Sequence, residues 1–361
     1  MKKSKQIRLS PSRINSLRDC SWAYYANYHL KLPQTANDGN RRGNICHAIL
    51  ELLVTPRHRH YVEKILNVGD PFAIPAISRY LEAYAKKENL PLDQIVINKD
   101  KNGLMTHREE ITNMLIVALE QNFLGQPNDE VIAEKEHIIE VHDKKKDYCI
   151  KGIVDKIFVR RDEKGEINEV EIVDYKTSSK KFPGDEIEGN IQGLVYQFFA
   201  KRLYPTAKKI TFSFLFLRFP RDPMQTVPQV PDTTIEGLEH YLTYLSKYMS
   251  EFTEAQAKTN FAKNDMGAKF LCGLHGNKSY RDKKTKVKIP HNEPQFICGH
   301  RDPYDYFAVV DEDGNNIRSS RTPEGLKLKE GEVMVKRRYM GCPAWHAQTT
   351  NLKRDWSALQ T

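Results

Sequence analysis

The chain has 361 residues, 39% hydrophobic and 10% aromatic, which suits one large or two ordinary domains and excludes extended disorder. Its 56 Lys and Arg against 47 Asp and Glu leave a formal charge of +9, so an anionic partner is expected, nucleic acid first. No run approaches the roughly 18 apolar residues of a membrane span, and the basic Met1-Lys-Lys-Ser-Lys start has no apolar run behind it. The reading is an intracellular, cytoplasmic protein with no membrane partner. Its six cysteines (Cys20, Cys46, Cys149, Cys272, Cys298 and Cys342) are then core residues or metal ligands rather than disulfides.

In chain order, Ser10-Pro-Ser-Arg-Ile-Asn-Ser-Leu-Arg-Asp-Cys20-Ser-Trp opens a helix, with Ser10 as cap, Pro11 in the first turn, and Ile14, Leu17 and Trp22 on one face. Gln34 to Arg42 reads as a polar loop. Gly43 to Leu53 reads as a second helix, on which His47 and Glu51 are i, i+4 partners. Residues 60–125 carry helical spacing at Ile77–Ala85 and Ile111–Glu120 between proline-containing loops, with no motif; these helices are expected to pack over a sheet.

Strands follow. Val131–Val141 is one, and Tyr148-Cys-Ile-Lys-Gly-Ile-Val-Asp-Lys-Ile-Phe-Val is a second, alternating and β-branched. Glu169-Val-Glu-Ile-Val-Asp-Tyr-Lys-Thr is a third, joined to the second through the charged, glycine-containing Arg160–Gly165 connection. Asp155 and Asp174 are 19 residues apart and fall on these neighbouring strands. Because strand side chains repeat every two residues, Asp174 and Lys176 share a face while Val173 and Tyr175 point to the other. Glu186 to about Leu203 reads as a helix placing Gln192 and Tyr196 on one face, and Pro205 ends that element. An aromatic-rich strand (Lys209–Phe219) and a long helix (Thr234–Met249) come next. The last hundred residues hold three cysteines, the basic run from Arg281 to Lys288 and a hairpin from Tyr306 to Ile317. They have few long apolar faces, so a metal clip would help to hold them.

Two carboxylates and a lysine at one place on a sheet suit phosphodiester hydrolysis. A divalent cation supplies an activated water and offsets phosphate charge; magnesium takes oxygen ligands, often only one or two carboxylates. A lysine beside it can hold the attacking water or stabilise developing charge. An Asp-x-Lys pattern alone is equally well a salt bridge on a strand surface. The ensemble says more. Gly152-x-x-Asp155, Asp174-Tyr-Lys176-Thr, Gln192-x-x-x-Tyr196, Gly43-x-x-x-His47-x-x-x-Glu51 and Ser10-Pro-Ser-Arg-x-x-x-Leu-x-x-Cys20 together resemble the RecB-family nucleases of the PD-(D/E)XK superfamily, over roughly residues 8–220. With its cysteine-bearing tail the chain resembles the iron–sulfur-containing exonucleases of that family, such as those of CRISPR adaptation.

That resemblance implies an α/β fold with a central mixed β-sheet flanked by helices. An N-terminal helical region (1–130) would precede the nuclease core (131–255) and a C-terminal cysteine-containing, metal-stapled segment (256–361). It implies that Asp155, Asp174 and the Tyr175 carbonyl bind Mg²⁺ or Mn²⁺, that His47 adds a contact, that Lys176 is the catalytic lysine, and that Gln192 and Tyr196 line the DNA path or support the site. Glu51, Glu134 and Glu136 are better read as solvent-facing carboxylates. The implied activity is a metal-dependent deoxyribonuclease, an exonuclease on single-stranded DNA or duplex ends in recombination or repair. It would act in a bacterial cytoplasm, or in the host's if phage-encoded, with any helicase on a separate chain. A catalytically inactive DNA-binding or assembly subunit and an endonuclease of the same superfamily are the alternatives.

In the iron–sulfur members one N-terminal cysteine joins three C-terminal ones around a [4Fe–4S] cluster. Cys20, Cys272, Cys298 and Cys342 match that order. The usual Cys-Pro is Cys20-Ser21 here, and the tail cysteines are separated by long insertions. Cys272-Gly-Leu-His275 and Cys298-Gly-His300 also offer a zinc-type donor set, and buried thiols without metal are the third reading. Cys46 and Cys149 lie in apolar patterns and read as core. Arg41-Arg42, Lys144–Lys146, Lys180-Lys181, Lys208-Lys209, Lys283–Lys288 and Lys336–Arg338 are available for phosphate contacts, and Trp22, Tyr24 and Tyr25 for base stacking or core packing.

Overall fold

The computed structural model describes residues 7–34, 38–88, 106–142, 145–265, 269–273, 280–281, 288–289 and 298–346. Helices are α1 (Pro11–Asp19), α2 (Ser21–Tyr28), α3 (Asp38–Val54), α4 (Tyr61–Val68), α5 (Pro75–Glu88), α6 (His107–Glu120), α7 (Gly184–Glu188), α8 (Ile191–Leu203), α9 (Asp232–Ser250) and α10 (Glu254–Ala257). Strands are β1 (Arg8–Leu9), β2 (Glu130–His142), β3 (Asp147–Arg161), β4 (Ile167–Lys176), β5 (Lys209–Phe216), β6 (Met224–Val227), β7 (Tyr280–Arg281), β8 (Lys288–Ile289), β9 (Tyr304–Val310), β10 (Asn316–Ser320) and β11 (Val333–Tyr339). The chain divides into two compact units, one of residues 1–11 and 36–250, the other of 12–35 and 251–361. Among the described residues no helix is long and apolar enough to cross a membrane.

The first unit is built on a six-stranded mixed sheet, in which β1, β3, β4, β5 and β6 are neighbours in that order and β2 lies along β3. This is the expected α/β architecture. The β3–β4 hairpin forms as its sequence indicates. Gly165 takes the left-handed conformation (φ 80°), and Asp162 accepts hydrogen bonds from the Lys164 and Glu166 amides. Its register pairs Lys156 with Val173, which sets Asp155 opposite Asp174. On the same edge β3 first pairs with β1, at Cys149 and Ile150, and then from Lys156 onward with β4. The sheet therefore forks beside Asp155.

Alternation gives each sheet face its own core. Phe158, Val173, Tyr175 and Leu215 pack against buried residues of α3, α4, α5 and α6, Ile45, Ile49, Leu53, Ile65, Ile77 and Leu115 among them. Each such aliphatic side chain contributes about 1.5–3 kcal/mol through its burial. On the other face the rings of Tyr196, Phe212 and Phe214 form an edge-to-face series, and Phe198 and Phe199 of α8 are fully buried. A Thr106–Glu109 capping box starts α6, and Gly69 (φ 73°) ends α4.

Several boundaries differ from the sequence reading. The first helix is two, because Cys20 is extended (φ −162°, ψ 107°) and caps α2 through its sulfur. Residues 38–42, expected in a loop, open α3, while 35–37 lie outside the described residues. The helix expected over 186–203 breaks between α7 and α8, where the Asn190 side chain accepts hydrogen bonds from the Gln192 and Gly193 amides. The edge strand β6 and the strand β11 carry no turn or alternation signal strong enough to have been read.

In the second unit β10, β9 and β11 form an antiparallel sheet, the first two being the expected hairpin, and β7 pairs with β8. Within that unit the Ser21 amide donates to the Asn260 carbonyl, and Asn260 donates to the Arg18 carbonyl.

One buried carboxylate ties three elements of the first unit together. Glu239 of α9 accepts from Lys146, from Tyr148 of β3 and from Arg202 of α8. Burial pushes its pKa up, but the Lys146, Tyr148 and Arg202 hydrogen bonds outweigh that and hold it below the usual range. A folded-state pKa below the unfolded one stabilises above the unfolded value and is lost as pH falls through the folded one. Glu239→Ala is expected to cost about 2 kcal/mol at pH 7 by chemical denaturation. The gap between wild type and variant should shrink as the pH drops below 4; a gap independent of pH would refute the assignment.

Candidate active site

The fork in the sheet lets both helical layers reach one point. From β3, Asp155 accepts a hydrogen bond from the Tyr175 amide at 2.7 Å through Oδ2, while Oδ1 lies 3.2 Å from His47 Nδ1 of α3. From β4, Asp174 is buried; Oδ1 accepts from Gln192 Nε2 at 2.6 Å, and Oδ2 stands 2.6 Å from Lys176 Nζ as an ion pair. Lys176 also donates to Gln192 Oε1 at 2.8 Å. Gln192 further donates to the Tyr196 hydroxyl, which itself donates to the Ile153 carbonyl on the forked edge of β3. The side chains of His47, Asp155, Asp174, Lys176, Gln192 and Tyr196, with the Tyr175 peptide, thus form one connected network.

Electrostatics make this network costly as it stands. Burial raises the Asp174 pKa to about 6; Lys176 pulls it down and the neighbouring Asp155 charge pushes it up. Tyr196 is pushed up as well, by burial and then by Asp174. Among the described residues no three His, Cys, Asp or Glu side chains close tightly enough to enclose a metal ion. The donor chemistry nevertheless suits an oxygen-seeking divalent cation, which needs only one or two carboxylates from the protein. Asp174 Oδ2 is buried with no hydrogen-bond partner and faces the Lys176 ammonium at 2.6 Å; a cation there would take over the charge compensation that the ammonium now gives.

The remaining sequence candidates are placed as follows. Glu51 is exposed and takes no part in the network. The side chains of Glu134 and Glu136, residue Lys144, residues 282–287 of the basic run, and His275 lie outside the described residues. Arg42 is not a free phosphate contact. It pairs with Glu110 at 2.9 Å and bonds His107, and Glu110 also pairs with Arg218. Arg218 in turn donates to the Thr177 carbonyl, just after Lys176. A Cβ at Gly43 would lie 3.0 Å from Thr177 Oγ1, so this clasp brings α3 close to the exit of β4.

Asn190 and Lys156 escaped the sequence reading, and the motif glycine Gly152 gains a physical reason. Asn190 caps α8 and so orients Gln192; an Asn two residues before a helical pattern was the available signal. Gly152 permits close approach, since a Cβ there would stand 2.3 Å from the Phe199 ring and 3.0 Å from the Tyr196 ring. Lys156, beside Asp155, is fully buried against the rings of Phe123 and Phe158 and donates to the Phe123 carbonyl; burial lowers its pKa to about 7. A lysine in a strand gives no hint of that.

In the second unit Cys20, Cys272, Cys298 and Cys342 line one cavity of about 20 Å³ together with Trp22, Phe261 and Trp345. No cysteine is in a disulfide, and Cys46 and Cys149 are buried in the first unit. Burial, then the neighbouring thiols, raise Cys272 to about 11; burial takes Cys342 to about 12. His300 cannot serve the zinc-type set as it stands, because Nε2 bonds Asn27 and Nδ1 bonds Tyr304.

Sheet, fork and carboxylate–lysine network define a nuclease-type α/β protein, and comparison with known families agrees. The model of the PD-(D/E)XK nuclease superfamily matches residues 8–273, and the chain belongs to that superfamily. Among solved structures 17 chains match. One of them, described as "Crystal structure of SSO0001", is 17% identical over 57% of this chain and 77% of its own, with a TM-score of 0.24. No curated protein matches.

Gly152→Ala should push Phe199 and Tyr196 away from β3. A loss of about 1–3 kcal/mol in denaturant is expected, with a loss of any hydrolytic activity that depends on Gln192. A variant as stable as the wild type would show that the close approach is dispensable.

Proposed function

We propose that the chain is a divalent-metal-dependent deoxyribonuclease, an exonuclease acting on single-stranded DNA or duplex ends. The observation that carries this reading is the convergence of Asp155, Asp174, Lys176 and His47 at the fork of the sheet, where Gln192 joins Asp174 to Lys176 and His47 bonds Asp155. Asp155 and Asp174 would hold Mg²⁺ or Mn²⁺, with the Tyr175 carbonyl and His47 as further donors. When bound, the cation lowers the pKa of a ligated water and neutralises charge on the scissile phosphate.

The chain's own groups do the rest. With a cation held by Asp174, Lys176 would no longer be needed as its counter-ion and would be free to hold the attacking water and to offset charge building on the phosphate. Gln192 keeps the ammonium and the carboxylate in register. Tyr196 fixes Gln192 to the backbone of β3. His47 orients Asp155 from the opposite layer. The reading extends to a cytoplasmic role in DNA recombination or repair, with any motor activity on another chain.

End-labelled single- and double-stranded DNA should be degraded with Mg²⁺ or Mn²⁺, and EDTA should stop the reaction. Asp174→Ala should abolish it, and Lys176→Met should slow it about 10²–10³-fold while DNA binding persists. Cleavage of covalently closed circles would make the enzyme an endonuclease. A wild type that binds DNA and stays inert in both metals would leave a DNA-binding or assembly subunit.

A second metal reading rests on the four thiols around one cavity. None of Cys20, Cys272, Cys298 and Cys342 is in a disulfide, and together they offer the donor set of a [4Fe–4S] cluster or of a four-thiolate zinc ion. As they stand no three of these thiols close tightly enough to enclose an ion, so either metal requires them to move, and a cluster requires the cavity of about 20 Å³ to widen. The cluster is the reading favoured by the resemblance of the motifs. Protein purified without oxygen should contain about four iron and four sulfide per chain, lost in Cys20→Ser. Stoichiometric zinc instead would replace the cluster by an ion, and neither metal would leave four buried thiols.

A further inference from the structure

The second unit carries a larger cavity, of about 640 Å³, that plays no part in the network around Asp174. One wall is the aromatic side of α2, where Tyr25 and His29 stack with centroids 5.3 Å apart and Trp22 lies 5.7 Å from Tyr25. The end of β11 also lines the cavity, with Arg337, Arg338 and the exposed Met340. Trp22 is fixed by its Nε1 donating to the Tyr339 hydroxyl, which donates to the His300 carbonyl. Arg337 is held by the Asn316 side chain and the Gly314 carbonyl. The walls are therefore pre-positioned.

The combination is selective. Flat rings and guanidinium groups lining one cavity meet both halves of a nucleotide, the base by stacking and the phosphate by charge. Arg337 and Arg338 of β11 both line the cavity, in a chain of formal charge +9. Two acidic groups are close: Glu254 at the rim pairs with Lys258, and Asp305 pairs with Arg338 and Lys336. Each is matched by a cation, so neither opposes an incoming phosphate unaided. The volume exceeds that of one base and admits a base with its sugar and phosphate.

From these walls we infer that the cavity binds an unpaired nucleotide of a single-stranded DNA segment, by stacking against Tyr25 and His29 and by phosphate contact with Arg338. It is a strand-holding subsite separate from the residues that would cut. The inference rests on the nuclease reading only for the identity of the nucleic acid.

The test measures binding without hydrolysis. Full-length protein in EDTA is titrated into a fluorescein-labelled thymidine 15-mer, for the wild type, Tyr25→Ala and Arg338→Glu. Each substitution should weaken binding about tenfold, with thermal unfolding unchanged; Arg338 is on an exposed strand surface, so its variant stays informative if Tyr25→Ala fails to fold. A 5-iodouracil oligonucleotide should crosslink to Trp22, Tyr25 or His29. Unchanged affinity in both variants, crosslinks confined to residues 36–250, equal competition by blunt duplex, or full competition by thymidine monophosphate at the oligonucleotide's own affinity would each overturn the proposal. The two readings fail separately. A protein inert in Mg²⁺ that still binds through Tyr25 loses the nuclease assignment alone, and an active one whose affinity ignores both substitutions loses this subsite alone.

Discussion

The Tyr175 amide donates to Asp155 at the point where β3 exchanges one neighbour for another, and much of the first unit follows from that hydrogen bond. An intact ladder would have used its edge groups for pairing and left no room for a network. By forking, β3 turns an unpaired stretch of edge toward side chains, and Tyr196 satisfies the exposed Ile153 carbonyl. Asp155 and Asp174 are then held as neighbours by strand register rather than by attraction. Two carboxylates repel and one is buried, so the arrangement persists because the surrounding cores over-determine it.

That division of labour explains what could be read from the amino-acid order. Period two puts Asp174 and Lys176 on one face, and the hairpin sets Asp155 across from Asp174; both follow from local rules and both form. The i, i+4 spacing likewise brings Gln192 to Tyr196. What local rules miss is tertiary. The fork depends on β1, a two-residue strand from the far end of the chain. The burial of Lys156 depends on Phe123, 33 residues earlier. The Arg42–Glu110–Arg218 clasp joins three distant segments, and Arg42 read as a cation available to phosphate. Cys20 looked like the interior of one helix, yet it separates two, because an extended residue with a side-chain acceptor makes a cap that periodicity does not register.

The second unit shows a different economy. It has a small three-stranded sheet and few long apolar faces, and its interior around Cys272 is shared by thiols, Trp345 and Ala262. Hydrogen bonds of single side chains do much of the fixing. His300 spends both ring nitrogens on Asn27 and Tyr304, and its carbonyl anchors Tyr339 and through it Trp22. Burial holds the His300 pKa down, to about 4, so the ring is neutral and able to accept as well as donate. Sequence spacing offered this histidine as a ligand; its environment makes it a brace.

The two pieces of the second unit, 12–35 and 251–361, are separated in the chain by the whole of 36–250. Synthesis from the N-terminus therefore delivers α2 and its Cys20 cap long before the segments that complete their surroundings. During that interval Trp22, Tyr24 and Cys20 have no finished core to enter. The intervening residues form their own sheet and can close first, which shortens the effective loop that α2 must span to meet its partners. A chain stalled before residue 251 would hold a complete sheet and a helix with exposed aromatic residues, the kind of surface that chaperones engage.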